Sequence, residues 1–289
     1  MGFPERVRLI ATDLDGTLLR DDKTIGRPEV AALRGAADAG LILVATTGRQ
    51  PGTVPVDLPA CGVRYLVAAN GAIGVDQGTG EILFETEIDA ATVAAIAAVV
   101  RRVLPEGRLS AAREHGRHYV VEPGYAELVH PAERVPSDYL TVGTADDVTS
   151  GPTLKLTVRH PELSPEQLLE VLGAAGPPDC QLTTSGAPFL EIGGAGVNKA
   201  SGLARLGGLL GVDASEVIAF GDAGNDVEML AWAGYGVAMG NATEAARAVA
   251  DHVTTANNAG GVAAVVEALL AERRLTERRM GWKRPATAS

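Results

Sequence analysis

The chain has 289 residues, 46% of them hydrophobic and 21% charged, with 35 glycines, which excludes a disordered or fibrous polypeptide. That length suits two modest domains or one large α/β unit. A formal net charge of −11 sets the overall field against nucleic acid and anionic membrane as main partners, yet a local pair of basic groups can still hold a small anionic substrate.

In chain order, residues 7–11 read as a short buried strand that runs into Asp13 and Asp15. Side chains alternate along an extended chain, so both carboxylates can point to one side at the strand's C-terminal tip, where Gly16 lets the backbone leave at an unusual angle. Two adjacent carboxylates repel each other unless a cation or proton separates them. A hard divalent cation with oxygen ligands is the natural partner, and beside phosphate that cation is Mg²⁺. Residues 20–25 form a polar flap next to them. A helix follows over residues 29–39, with Pro28 in its first turn and Gly40 as its stop. The apolar strand 41–45 ends in Thr46-Thr47-Gly48-Arg49, and the strand 65–69 ends in Asn70-Gly71. This alternation is that of a doubly wound α/β fold with a mainly parallel sheet.

The pattern then changes. Short strands are expected at 72–75 and 82–85, a helix at 89–104, and strands near 108–112, 118–121 and 153–158. The segment 122–136 is irregular and Pro-containing, Ser164-Pro165 starts a helix, and strands near 181–184 and 189–192 close the region. Such a mixture reads as an α+β module inserted into the larger domain. The division expected is a Rossmann-like core of residues 1–83 and 189–274, an inserted module of residues 84–188, and a basic, loosely ordered tail of residues 275–289. In the second half of the core, Asn198-Lys199 opens a helix to about residue 210. The strand 217–220 runs into Gly221-Asp222-Ala223-Gly224-Asn225-Asp226, a helix passes through Trp232, and strands at 235–239 and 251–254 precede a last helix from residue 261 to about 274.

Asp13/Asp15, Thr47-Gly48-Arg49, Lys199 and Asp222/Asn225/Asp226 thus sit at C-terminal strand ends or at a helix start beside them. Open α/β sheets bind ligands at that edge. The carboxylates can hold a cation; the hydroxyl, the N–H groups after it and the ammonium can hold an anion. Together they suit a Mg²⁺-bound phosphoryl group.

These strings, with Gly196-Val197-Asn198-Lys199, resemble the four motifs of the haloacid dehalogenase-like (HAD) hydrolases of the Cof type, whose subtype B cap is inserted at the C2 position between motifs two and three. The resemblance spans about residues 7–270 and is weakest in the cap, which chooses the substrate. It implies a phosphomonoester hydrolase for small phosphorylated metabolites, sugar phosphates above all, working through an aspartyl-phosphate. In that scheme Asp13 is the nucleophile and Asp15 the acid and base. Mg²⁺ is held by Asp13, the Asp15 backbone carbonyl and Asp222. Thr47 and Gly48 bind phosphoryl oxygens, Asn225 contacts the same group, and Lys199 neutralises charge. Asp226 orients Lys199 or metal-bound water. Thr46 stands where Ala is commoner, and the resemblance selects Thr47 for the site. Arg49 either reaches the substrate or pairs with a cap carboxylate. A phosphosugar mutase with the same nucleophile, or a phosphometabolite-binding regulator, are the other readings.

The remaining features read more plainly. Cys61 and Cys180, in no metal-like spacing, are expected to be small buried thiols in a reducing compartment. His115, His118, His130, Arg113, Arg117 and Arg134 could make a positive lip, but among Glu114, Glu122, Glu127 and Glu133 a solvated charged face is the preferred reading, and no zinc set is completed. Trp232 is read as packing. The N-terminal stretch lacks the apolar run of a secretory signal, and no apolar run approaches the ~20 residues that cross a bilayer. A cytoplasmic monomer or small homo-oligomer is expected, with no nucleic acid or membrane partner.

Overall fold

In the computed structural model, which describes residues 2–129 and 137–279, the strands fall into two sheets. The first half of the core contains β1 (Leu9–Asp13), α1 (Arg27–Asp38), β2 (Ile42–Thr46), β3 (Tyr65–Ala68), β4 (Ile73–Asp76) and β5 (Ile82–Glu85). The inserted part contains α2 (Ala90–Val103), β6 (Arg108–Arg113), β7 (His118–Val121), β8 (Leu140–Val142), α3 (Ala145–Thr149), β9 (Lys155–Arg159), α4 (Pro165–Ala175), β10 (Cys180–Thr183) and β11 (Leu190–Gly194). The core resumes with α5 (Lys199–Leu210), β12 (Val217–Gly221), α6 (Val227–Trp232), β13 (Tyr235–Ala238), α7 (Glu244–Val249), β14 (His252–Val253) and α8 (Gly261–Arg279).

The core sheet has the order β14-β13-β12-β1-β2-β3-β4-β5. It is parallel from β14 to β3, with β4 and β5 added antiparallel. The central strand β1 is buried along its whole length, which is why Leu9-Ile10-Ala11 is an unbroken apolar run. The second sheet has the order β10-β11-β9-β6-β7-β8 and is antiparallel except for the β7–β8 pair. Its two faces differ because side chains alternate. Leu156, Val158, Leu190 and Ile192 pack against Val93, Ile96 and Val100 of α2 and Leu168 and Leu172 of α4 in a core of their own. Each such burial contributes roughly 1.5–3 kcal/mol. The other face carries Tyr119, Lys155, Thr157, Thr183 and Glu191.

Four expectations need correction. Strand β1 runs to Asp13 instead of ending at Ala11, so the first carboxylate belongs to the strand and only Asp15 lies in the turn. β11 pairs with β9 and β10, so the core resumes after Gly194 and not at residue 189. α8 continues past residue 274 to Arg279, through a stretch without Gly or Pro. β8 and α3 were not anticipated: β8 is a three-residue edge strand, and α3 is five residues long, with a Thr144–Asp147 capping box as its signal. His130, Glu133, Arg134, Trp282 and the tail beyond Arg279 lie outside the described residues.

Among the described cap residues, Glu122 is buried instead of solvated: it accepts from the Leu109 N–H and from Arg101. His115 meets Glu85 and His118 meets Thr141, while Arg113 donates to the Val148 and Pro152 carbonyls. Both cysteines are unpaired; Cys61 is buried, but Cys180, on the sheet-edge strand β10, is only half-buried. Trp232 packs partly buried against the core. Among the described residues no helix is long and apolar enough to cross a membrane.

Candidate active site

The site is built at the C-terminal edge of β1, β2, β3 and β12, with α5 closing it from the side. Asp13 ends β1 and is 4% exposed. Lys199 is the first residue of α5, and its helix start is fixed by Asn198, which caps it in a reciprocal pair with Ser201. α5 lies so close to the turn after β3 that a Cβ on Gly71, at φ +101°, would overlap the Asn198 carbonyl oxygen. This contact brings the Lys199 ammonium to 2.6 Å from both Asp13 Oδ1 and Asp226 Oδ1.

Asp13, Asp222 and Asp226 offer carboxylate oxygens that all lie within 4.8 Å of one another. They are not equivalent. Asp226 Oδ1 accepts from Lys199, and its Oδ2 accepts from the backbone N–H groups of Asp222 and Ala223. Asp226 is therefore spent on holding the lysine and the loop. Asp222 accepts from the Thr17 hydroxyl at 2.8 Å and faces Gly16, whose φ of +82° leaves no room for a Cβ beside the Asp222 carboxylate. Burial is the main force on Asp222; with the Asp226 charge it pushes the carboxyl up to about 6. Burial also raises Asp13 well above the usual carboxylate range, with Lys199 opposing and Asp226 and Asp222 adding to the rise. Burial disfavours the Lys199 ammonium, but Asp13 and Asp226 outweigh it and keep the lysine charged. Three crowded carboxylates against one ammonium, with oxygen donors alone, form a set that fits a hard divalent cation.

Motif two closes the other side. Thr46 is fully buried and donates to Met229 Sδ, so it faces the core. Thr47 accepts from the Arg49 N–H at 3.0 Å, which leaves its own O–H free to donate. Asn225 donates to Asn70 Oδ1 at 2.9 Å, and its own Oδ1 is buried without a partner among the described residues. Arg49 pairs with a core carboxylate and not with one of the cap. It forks onto Asp15, with Nε 2.6 Å from Oδ2 and Nη2 2.7 Å from Oδ1, while Lys23 Nζ lies 2.9 Å from Oδ1. Burial raises the Asp15 carboxyl, but the hydrogen bonds and charges of Arg49 and Lys23 win and lower it. The Asp15 side chain is thus held apart from the oxygen cluster.

Sequence reasoning missed Lys23, Asn70, Thr17 and the cap pair Lys155–Glu191, which reaches the site through the Gly48 carbonyl. Lys23 had a signal, as the basic residue in the flap after motif one. Lys155 and Glu191 had little: Lys155 is one of two basic residues in β9, and Glu191 is a single acid in β11.

The sequence profile of the haloacid dehalogenase-like hydrolases matches residues 10–266. The chain belongs to this family. The Cof-type resemblance read from the motifs holds, and the inserted sheet is the cap it implies. Among HAD-like relatives, the chain is similar to the 5-amino-6-(5-phospho-D-ribitylamino)uracil phosphatase YbjI of Escherichia coli, with 32% identity over 91% of this chain and 96% of the relative. It is also similar to a phosphoglycolate phosphatase of Natronomonas pharaonis, with 31% identity over 87% of this chain and 93% of the relative. The solved structure of BT1666, a HAD-superfamily phosphatase from Bacteroides thetaiotaomicron, matches with 26% identity and a TM-score of 0.76, over 91% of this chain and 94% of that one. The chain stands among the phosphatases of the HAD-like hydrolases.

Proposed function

We propose that this HAD-like protein is a Mg²⁺-dependent phosphomonoester hydrolase for small phosphorylated metabolites, sugar phosphates foremost. The observation that carries the reading is the buried Lys199 ammonium fixed between Asp13 and Asp226 at the tip of β1. It holds one carboxylate in place while cancelling part of the charge that a phosphoryl group brings.

The Asp13 carboxylate attacks phosphorus, and the bond to the leaving oxygen breaks as the aspartyl-phosphate forms. Asp15 gives a proton to the departing alkoxide, then takes one from the water that cleaves the acyl phosphate. Its pairing with Arg49 and Lys23 favours the carboxylate, which is the form the second half-reaction needs. A bound phosphate draws the same two cations toward itself, relaxing their hold on Asp15 and favouring the acid form the first half-reaction needs. The Thr47 hydroxyl and the Gly48 N–H receive phosphoryl oxygens, the free N–H of Asn225 adds to them, and Asp226 keeps Lys199 aimed. Asp13, Asp222 and the Asp15 backbone carbonyl would hold Mg²⁺, which when bound neutralises charge on the transferring group.

The test is phosphate release from a panel of phosphorylated metabolites, with Mg²⁺ and with chelator, by the parent and by Asp13→Asn. Metal-dependent release that disappears in the variant supports the reading. A parent inactive on the whole panel, or an equally active variant, defeats it.

A further inference from the structure

The cap sheet meets the motif-two loop through a buried ion pair. Lys155 of β9 donates to the Gly48 carbonyl at 2.6 Å and to Glu191 Oε1 on β11. Glu191 is 1% exposed and lies against Gly48: a Cβ built there would stand 3.1 Å from Oε1 and 3.3 Å from Oε2. Oε1 is satisfied by Lys155, but Oε2 has no partner among the described residues. An ionised carboxylate with an unmet buried oxygen is costly, and the cost vanishes only when a donor arrives.

Thr183 pairs in register with Glu191, so both side chains leave the same face of the cap sheet. Thr183 and Gln181 line a narrow cleft, with free volume of about 10 Å³, whose core wall includes Asn70, Lys199 and Asn225. The cleft therefore joins the cap face that carries Glu191 to the lysine of the phosphoryl site. Its lining includes the amides of Asn70, Gln181, Asn198 and Asn225 and the Thr183 hydroxyl, groups that recognise hydroxyls, beside Lys199, Glu228 and Val197.

We propose that Glu191, steadied by Lys155, accepts a hydrogen bond from a hydroxyl on the carbon skeleton next to the phosphate, so that the substrate is a polyol or sugar phosphate and not a phosphorylated carboxylic acid. The inference rests on the phosphatase reading above and names the leaving group for it. A substrate hydroxyl supplies the donor that Oε2 lacks. A substrate carboxylate brings a second negative charge to the same buried oxygen and no proton to share. Glu191 is a specificity residue in this account, and Lys155 is a positioning residue that ties it to the motif-two loop.

The experiment compares kcat/KM for ribitol 5-phosphate, phosphoglycolate and p-nitrophenyl phosphate in the Mg²⁺-loaded parent, Glu191→Met and the double variant Lys155→Met/Glu191→Met. The double variant leaves no unpaired buried charge and guards against a simple folding failure. The parent is expected to prefer ribitol 5-phosphate to phosphoglycolate. Both variants are expected to lose about 10–100-fold in the ratio of ribitol 5-phosphate to p-nitrophenyl phosphate, the ester without a hydroxyl. If all three esters fall in proportion, the ratio stays put and the pair is only a strut between cap and core, which overturns the proposal. A parent that prefers phosphoglycolate also overturns it. A parent that cleaves none of the three esters withdraws the phosphatase reading itself, and this inference with it.

Discussion

The ammonium of Lys199 and the carboxylate of Asp13 meet at 2.6 Å although 186 positions separate them in the chain. Both are almost fully buried, so neither charge is tolerable without the other. The pair joins the first strand of the core to the first helix after the cap, and the site exists only where those two elements are held together.

Removing that ammonium tests its part in the chemistry. In Lys199→Met the kcat for phosphate release is expected to fall about 10²–10³-fold, the usual cost of deleting a preorganised donor at a reacting centre. Asp226→Asn keeps an acceptor for the loop but weakens the hold on Lys199, so its loss should be smaller. Steady-state assays on one good substrate check both, and a Lys199→Met kcat within tenfold of the parent would be the contrary result.

The fork of Arg49 on Asp15 makes a second prediction. The two cations lower the Asp15 carboxyl below its ordinary value of 3.8, so taking one away must raise it. A ¹³C-NMR titration of the carboxylates is expected to place the Asp15 midpoint below 3.8 in the metal-free parent and higher in Arg49→Gln. Inorganic phosphate, competing for the same guanidinium, should move the parent's midpoint in the same upward direction. An Asp15 midpoint indifferent to both changes would contradict the role given to Arg49.

The crowded carboxylates set a pH dependence of the opposite sign to the usual acid lability. Asp222 is pushed from 3.8 up to about 6, so the folded protein binds its proton more tightly than the unfolded chain does. That contribution is fully present below pH 3.8 and is lost as pH rises through about 6. Mg²⁺ competes with the proton, so it should restore more stability at pH 7.5 than at pH 5. Thermal melts at the two pH values, with chelator and with Mg²⁺, measure the difference; a metal-induced shift in Tm that is equal or larger at pH 5 would refute it.

Much of the core could be read from the chain because its signals are local. Unbroken apolar runs gave β1, β2, β3 and β12, and Asn198 before Lys199 marked the start of α5 to the residue. The acidic strings then fell at one sheet edge because parallel strands share their C-terminal ends. What stayed hidden depends on tertiary placement. Nothing in the sequence says that Arg49 bends back to Asp15, since any carboxylate within its reach would look the same. Glu191 was invisible for a like reason: a single acid between Leu190 and Ile192 acquires meaning only when β11 lies over Gly48. The strand at 189–192 reads with the inserted module in the sequence, and β11 does pair with β9 and β10, whereas the division drawn at residue 188 cuts through that sheet.

The order of the strands has a consequence for biosynthesis. β1 needs β12 as one of its two neighbours, and Thr17 reaches Asp222 across 205 positions. At roughly 5–20 residues per second of translation, the nascent chain carries its first motif for about 10–40 s before the partner loop has been made. During that interval one edge of β1 is open and Asp13 has neither its lysine nor Asp222. The cap, whose strands pair only with one another, can complete itself in the meantime. The catalytic centre is therefore assembled only after the cap has been made, and a nascent chain halted before Gly221 emerges can carry a finished cap but no enzyme.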